Sequence, residues 1–493
     1  MEVKKRNYTT HIILLFSMLF MLHSQYTTAQ NKDNITISAT TPLPIGEKVR
    51  LLATDDYITN KMIVLCESTI SNNHTFQLST NIKEITLTQM GIRTSRAEFY
   101  IVPNWNYSFN VEMDTVLFKL FDPGAYGGFL QIQNLKTDTN DINLKINYFL
   151  AFYEAILQEF SYRIVYLKDK ECYDTVVQEI SKRFPTEYEP TNFYKSYIYY
   201  TIAQLDKIIY SKYPDKLYEK YFNNEYVLYN NPAYMHFFKD FYSNYLYASS
   251  RISQSMLNEY INTTANYPAL FNEVGRDHFL VNERLRELVI LYNLWEFTDS
   301  EDFNWRNVIS LIEYIAQNTH FPEHKKIADN ILEIIQNSNS KKLMSEFIFK
   351  DEKNKNVKIN KLKGKWVYLH FYDNYCDDCI REMLIIKELH AKFKDEITFV
   401  SVSLDLEYEQ FKKFREAYPL FDWEFVHFND HYDWLIAMDI FSLPENIILN
   451  KDGEIEIRHA PDPDKNLFIF LEKMFHKEEQ ERINPMFYNR SRE

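Results

Sequence analysis

Residues 366–379 read WVYLHFYDNYCDDC, an apolar run of seven that stops four residues short of two cysteines spaced three apart. A run of that length, rich in aromatic and branched residues, predicts a buried strand, and residues 376–394 carry helical spacing. Few arrangements suit such a pair better than a strand, a tight turn and a helix beginning at the first cysteine. The spacing then brings both sulfurs to one side of the first turn, where they can bond and part without refolding. The leading thiol faces unpaired backbone N–H groups and the positive helix end, which favour its thiolate. Cys376 and Cys379 are therefore the candidate redox-active disulfide. One such pair supplies half of a four-ligand zinc site, and Cys66 and Cys172 stand alone, so no metal centre is expected. A purely structural staple is a poorer reading, because so short a loop gains little from cross-linking. Cys66 and Cys172 could bridge two domains or remain two buried thiols; the sequence leaves both open.

The 493 residues exceed one ordinary core, and two or three domains are expected. Residues 1–29 read as a cleavable export signal: Lys4, Lys5 and Arg6, then an apolar core over 12–22, then small residues ending at Ala29. That core is shorter than the roughly 20 residues a membrane span needs. No cysteine follows it closely, so a lipoprotein is not expected. Export places the chain in the periplasm or cell envelope, an oxidising setting in which a close cysteine pair fits cycling chemistry. Cleavage removes three positive charges and one negative from a chain of net charge −14. Such acidity argues against nucleic acid as a partner, since phosphate binding needs concentrated Lys and Arg.

Residues 30–135 alternate short β-like runs with turns: 35–38 (ITIS), 49–52 (VRLL), 62–65 (MIVL), 75–78 (TFQL), 84–87 (EITL), 99–102 (FYIV) and 106–112 (NYSFNVE). Their number and spacing predict a β-sandwich. Residues 136–340 change to helical period. Val281, Leu285, Leu288, Tyr292 and Trp295 share one face, as do Ile327, Ile331, Leu332 and Ile335. No glycine lies between Gly128 and Gly275, and prolines 190, 214, 232 and 322 stand where helices could begin. The aromatic-rich stretch 193–247 fits a helical core better than a binding groove. Residues 338–343 form a polar joint. Residues 341–480 then carry an α/β pattern: a hairpin around 351–355, strands at 366–372 and 397–403, and helices at 376–394, 407–417 and 432–438. A hairpin turning at 451–453 and a closing helix from 467 follow. Residues 481–493 are a polar tail. The expected whole is a multi-domain chain with an N-terminal β-sandwich, an all-α middle region and a C-terminal α/β domain.

Residues 341–480 resemble the thioredoxin-like proteins of the bacterial envelope, the TlpA/ResA type of the redoxin or AhpC/TSA superfamily. The resemblance rests on 361–367 (KLKGKWV), the cysteine pair, 379–383 (CIREM), 401–405 (SVSLD), and Leu443-Pro444 with Gly453 nine residues on. It implies a thioredoxin-like fold and thiol–disulfide oxidoreductase activity without a cofactor. Cys376 would attack and Cys379 resolve. Pro444 would be a cis-proline facing the disulfide, and Tyr375, Leu443 and Pro444 would line the substrate segment. Glu382 would assist proton movement. Envelope proteins with disulfides or thiols would be the partners, and a DsbD-like membrane protein the electron donor. The chain departs from the type at four places. Tyr375 replaces a tryptophan, Asp377 and Asp378 leave no proline between the cysteines, Glu445 follows Pro444, and His370 stands where thioredoxin has a buried acid. His370 could relay a proton to Cys379 or be a satisfied core histidine. Glu382 could equally be an exposed helix carboxylate.

Asp373, Asp377 and Asp378 place negative charge near a nascent thiolate, which raises its pKa and makes a weaker oxidant. The expected poise is that of a reductant, with a solvent-facing Cys376. Two other readings compete. A binding or scaffold protein with a vestigial redox domain would account for some 340 preceding residues. A peroxidase is the weaker of the two, because the threonine and proline that normally lead to a peroxidatic cysteine are missing before Cys376.

Overall fold

The computed structural model describes residues 34–92, 95–114, 129–135, 138, 140–298, 300, 302–339, 348–358, 364–374, 376–405, 408–428, 435, 440 and 443–483. The expected export signal and Tyr375, nearly all of the helix expected at 432–438, and all but the first three residues of the polar tail lie outside them.

The first eight strands are β1 (Ile35–Thr40), β2 (Lys48–Thr54), β3 (Met62–Thr69), β4 (Thr75–Thr80), β5 (Thr86–Ile92), β6 (Ser95–Ile101), β7 (Asn106–Asp114) and β8 (Phe129–Asn134). Period-two alternation sets their inward faces: Ile35, Ile37 and Ala39 of β1 are buried, with more exposed residues between them. The strands fall into two four-stranded runs, β3-β2-β5-β6 and β8-β7-β1-β4, joined through the single pair Arg96 and Phe129, with inward residues of both runs in one core. The strands hydrogen-bond as one sheet in the order β3-β2-β5-β6-β8-β7-β1-β4. Its two edges, β3 and β4, are joined by residues 70–74 alone. So short a link reaches about 20 Å, whereas the edges of a flat eight-stranded sheet stand about 34 Å apart. The sheet therefore curls until its edges approach, enclosing Val49, Leu51, Met90, Phe99, Phe109 and their neighbours.

Eleven α-helices follow among the described residues: α1 (Ile142–Val165), α2 (Lys170–Arg183), α3 (Phe193–Tyr210), α4 (Pro214–Tyr221), α5 (Pro232–Tyr242), α6 (Tyr245–Ala248), α7 (Gln254–Asn258), α8 (Tyr267–Val274), α9 (Glu283–Phe297), α10 (Trp305–Asn318) and α11 (Pro322–Asn339). Pro214, Pro232 and Pro322 are first residues of helices, where a missing N–H costs nothing. Asn231, Asn282 and Asn304 cap α5, α9 and α10 through their side chains. The aromatic stretch is core: Tyr200, Tyr221, Tyr234, Phe237 and Phe238 are buried together. Tyr221 and Tyr173 both donate to the buried Asp206 and Tyr200 donates to the Tyr221 carbonyl, while the Tyr242 hydroxyl is buried without a partner. The single-face reading of α9 is too narrow. Residues Leu285 to Leu291 are buried on every side, so α9 runs through the centre, while Val281 lies before it and is 62 % exposed.

The sheet and the helices share an interface. Ile58, from the loop after β2, is buried in the helical core. Asn330 of α11 donates to Asp55 and Asp56 at 2.7 and 2.8 Å, and Lys61 reaches Glu333 at 2.6 Å.

The last unit holds β9 (Ile348–Lys350), β10 (Asn356–Lys358), β11 (Trp366–Tyr372), α12 (Asp377–Phe393), β12 (Ile397–Ser403), α13 (Tyr408–Ala417), β13 (Glu424–His427), β14 (Glu445–Leu449), β15 (Ile455–Ile457) and α14 (Leu467–Ile483). Strand order is β10-β9-β13-β12-β11-β14-β15. Strands β11, β12 and β13 run parallel, and β14 is antiparallel to β11. β13 is absent from the sequence expectations, because at four residues its run is too short to stand out. α14 carries on to Ile483, past the expected boundary at 480.

Candidate active site: a disulfide over a buried carboxylate

β11 is apolar on both faces and central, so its end is rigidly held. The chain leaves it at Tyr372 and enters α12 through Asp373 and Asn374. Asp405 pins that turn: its Oδ1 accepts from the Asn374 N–H at 3.0 Å, and its Oδ2 accepts from the Ser403 hydroxyl at 2.8 Å. Asn374 Nδ2 donates to the Gln410 carbonyl at 2.6 Å. Asp405 belongs to the SVSLD stretch noted above, but only the fold reveals that it positions the cysteine turn.

Cys376 is the N-cap of α12, its Sγ accepting from the Cys379 N–H at 3.1 Å. Cys376 and Cys379 are joined in a disulfide. The expectation of a solvent-facing Cys376 is corrected: it is 0 % exposed and lies in the core of this unit with Cys379. A disulfide sulfur carries no charge to hydrate, so burial in the oxidised state costs it little. Asp377 and Asp378 are exposed on the first turn, and Asp378 is paired with Arg381. The Asp378 charge is thereby partly offset, while Asp373 is buried beneath the turn.

The Leu443–Pro444 peptide bond is cis. β14 pairs with β11 so that Glu445 faces Phe371 and Asn446 faces His370. Pro444 thus stands beside the end of β11 from which the cysteine turn departs, with Leu443 buried. Glu445, which follows Pro444, is engaged with His459 at 3.0 Å.

Below the disulfide, Glu382 projects from α12 one turn after Cys379. It is 4 % exposed, which removes the reading of an exposed helix carboxylate. His370 is 1 % exposed, and its Nε2 lies 3.4 Å from Glu382 Oε2. Neither ring nitrogen has a hydrogen-bond partner, so His370 is buried but not satisfied. Asn446, register partner of His370, directs Nδ2 to Glu382 Oε2 at 3.4 Å. Sequence reasoning missed Asn446, since an Asn at the head of an apolar strand carries no signal until the register is known. Tyr368, on the same strand, is fully buried, and burial followed by the nearby Glu382 and Asp462 charges pushes its pKa well up.

Cys66, in β3, and Cys172, buried in α2, are not joined in a disulfide. A separate cleft of about 700 Å³ lies between the curled sheet and the helices, with Tyr57, Lys83, Phe193, Tyr229, Arg284 and Lys326 in its walls. None of its walls comes from the unit that carries the disulfide, so this cleft is separate from the cysteine pair. Among the described residues no helix is long and apolar enough to cross a membrane.

Residues 341–458 match the AhpC/TSA family. The thiol-disulfide oxidoreductase ResA of Halalkalibacterium halodurans is 27% identical over 116 residues, which are 23% of this chain and 64% of that protein. ResA of Bacillus cereus is 28% identical over 111 residues, 22% of this chain and 62% of its own length. The chain thus spans less than two thirds of these relatives. Among solved structures, the thioredoxin domain of a thiol-disulfide oxidoreductase from Bacteroides vulgatus is 27% identical, with 27% of this chain and 96% of that one covered and a TM-score of 0.25.

Proposed function

We propose that this chain, whose residues 341–458 form an AhpC/TSA-family domain of the thioredoxin-like, ResA-related type, is a thiol–disulfide oxidoreductase that reduces disulfides of envelope proteins. The observation that carries this reading is the Cys376–Cys379 disulfide at the first turn of α12, with a buried carboxylate one turn behind it. In the reduced enzyme the Cys376 thiolate attacks a substrate disulfide, forming a mixed disulfide and releasing one substrate thiolate. Cys379 loses its proton to Glu382 and attacks Cys376 Sγ. The second substrate thiol leaves, and the enzyme is left oxidised as seen here. A dithiol donor, such as a DsbD-like membrane protein, returns two electrons. The backbone beside Pro444 and the side chain of Tyr375 are assigned to the substrate segment, while Leu443, expected there from the sequence, is buried in the core and supports that backbone instead. The acidic first turn supports a reductant rather than a strong oxidant. Export by residues 1–29 to the periplasm completes the reading.

Cys379→Ser tests it directly. The variant cannot resolve the mixed disulfide, so envelope proteins should accumulate bound to Cys376 and be released by dithiothreitol. Failure to trap any protein, together with no insulin reduction by the wild type, would sink the proposal. A second reading, a binding protein with an idle redox domain, is favoured by the cleft between sheet and helices. Partner binding that survives loss of both cysteines would support it.

A further inference from the structure

The cleft between the curled sheet and the helices, about 700 Å³ in volume, falls in the size range of small-molecule sites. Its two sides are fixed to each other. Lys326 of α11 is paired with Asp55 from the loop after β2 at 3.3 Å, and Asn230 Nδ2 donates to Glu84 at 2.6 Å across the same boundary. A cleft held in shape this way spends little on ordering itself around a ligand.

A buried relay ends in its wall. Tyr229 lines the cleft, and its hydroxyl lies 2.7 Å from Nε2 of His324. His324 is fully buried, with Nδ1 2.8 Å from Glu287 Oε1. Glu287 also accepts from the Tyr267 hydroxyl at 2.9 Å and from Thr319. An ionised carboxylate only accepts, so Nδ1 carries a hydrogen and the Tyr229 O–H is assigned to Nε2. Burial raises the pKa of Tyr229 against the charge of nearby Arg284, so the phenol keeps its proton. With that proton committed to His324, the Tyr229 oxygen is held in place as an acceptor, which suits a hydroxyl donor on a ligand.

The charges of the walls point to an anion. Arg284, the second residue of α9, lies 4.7 Å over the Phe321 ring and gives one N–H to Glu323 at 3.3 Å. Most of its five donors are left uncommitted. Lys83, exposed on the loop after β4, has no ion-pair partner among the described residues. The wall carboxylates are already engaged: Asp55 by Lys326 and Asn330, Asp56 by Thr59 and Asn330, Glu84 by Asn230, and Glu323 by Arg284. What is left for a ligand is positive charge, a phenol oxygen, and the flat faces of Tyr57 and Phe193. We propose that the cleft binds an acidic sugar of the uronic acid class. Its carboxylate lies on Arg284 and Lys83, a ring hydroxyl donates to Tyr229, and its C–H face packs against Tyr57 and Phe193. An acidic peptide would match the charge but would leave the Tyr229 oxygen and the aromatic faces without a hydroxylated ring to hold. The site is apart from the disulfide and requires no redox cycling.

The test is calorimetric titration of the full-length protein with trigalacturonate, uncharged maltotriose and triglutamate at matched ionic strength. Trigalacturonate should bind, and maltotriose should bind at least about tenfold more weakly. Arg284→Gln should weaken trigalacturonate by about tenfold. Lys83→Gln alters an exposed side chain, so it should fold as before and weaken the same ligand by about fivefold. Tyr229→Phe keeps the ring and should cost about fivefold for trigalacturonate while leaving triglutamate unaffected. No binding of trigalacturonate, or unchanged binding in Lys83→Gln and Arg284→Gln, overturns the site. Triglutamate bound as tightly as trigalacturonate reduces the cleft to a charged patch and overturns the sugar assignment. Titration requires no turnover, so sugar binding by a protein that proves inactive refutes the oxidoreductase reading and leaves the site standing.

Discussion

Glu382→Gln isolates the proton-handling role of the buried carboxylate. Glutamine keeps the volume and the contact with Asn446 but cannot accept a proton from Cys379. Glu382 is 4 % exposed, and the other base beside it is His370, 3.4 Å away, so bulk water is a poor substitute. A positioned general base contributes about 10²–10⁴-fold. The lower figure applies here, because His370 remains and a thiol is already acidic. A hundredfold loss corresponds to about 2.7 kcal/mol on the barrier. The loss should be largest at about pH 7 and shrink above about pH 8.5, where an ordinary thiol ionises unaided. Resolution of a mixed disulfide between Cys376 and a chromogenic thiol, followed by stopped flow from about pH 6 to about pH 10, reads this. A loss that stays constant across the range would assign Glu382 a merely structural role. No loss at any pH would remove it from the mechanism.

Other outcomes follow from the N-terminal units. Asp206→Ala leaves the buried hydroxyls of Tyr173 and Tyr221 without their acceptor, at about 1–3 kcal/mol each. Urea unfolding should show a loss of several kcal/mol, and one below about 1 kcal/mol would mean that water replaces the carboxylate. Burial acts to raise the pKa of Glu287, but hydrogen bonds from His324, Thr319 and Tyr267 prevail and hold it below its ordinary 4.5. Its contribution is therefore present above that value and lost as pH falls through the lowered one. The gap in melting temperature between wild type and Glu287→Gln should narrow steadily as pH falls below the ordinary 4.5, and a gap that does not narrow as the protein is acidified refutes the linkage. Ile58→Ala removes the side chain that the sheet unit inserts into the helical core. It should cost about 2–5 kcal/mol and expose the loop after β2 to protease; an unchanged cleavage pattern would contradict its role as a clasp.

Much of the C-terminal unit was legible because its signals are local. An apolar run too long for a turn, a cysteine pair at helical spacing and a Gly-centred hairpin each specify an element within ten residues or so. The strand ends at 366 and 372 and the helix start at Cys376 follow from such runs. In the N-terminal unit the strands were equally readable, but period-two alternation says which face is buried and not which strands pair. Whether eight strands make two sheets or one curled sheet depends on pairings between residues far apart, such as β1 with β7 and β6 with β8. Val281 misled for a related reason: helical spacing continued past the point where Asn282 caps α9.

The sequence by itself determined that Cys376 and Cys379 can bond, since a pair three apart at a helix start needs no distant partner to form. Tertiary structure alone decided what surrounds that pair. Glu382 reads the same in sequence whether a strand covers it or water does. Burial beneath β11 and β14 makes it a candidate proton acceptor. His370 and Asn446 became neighbours through strand register, and Asp405 reached the cysteine turn through the end of β12. These roles depend on dielectric environment and on contacts across tens of residues, quantities that no local pattern encodes.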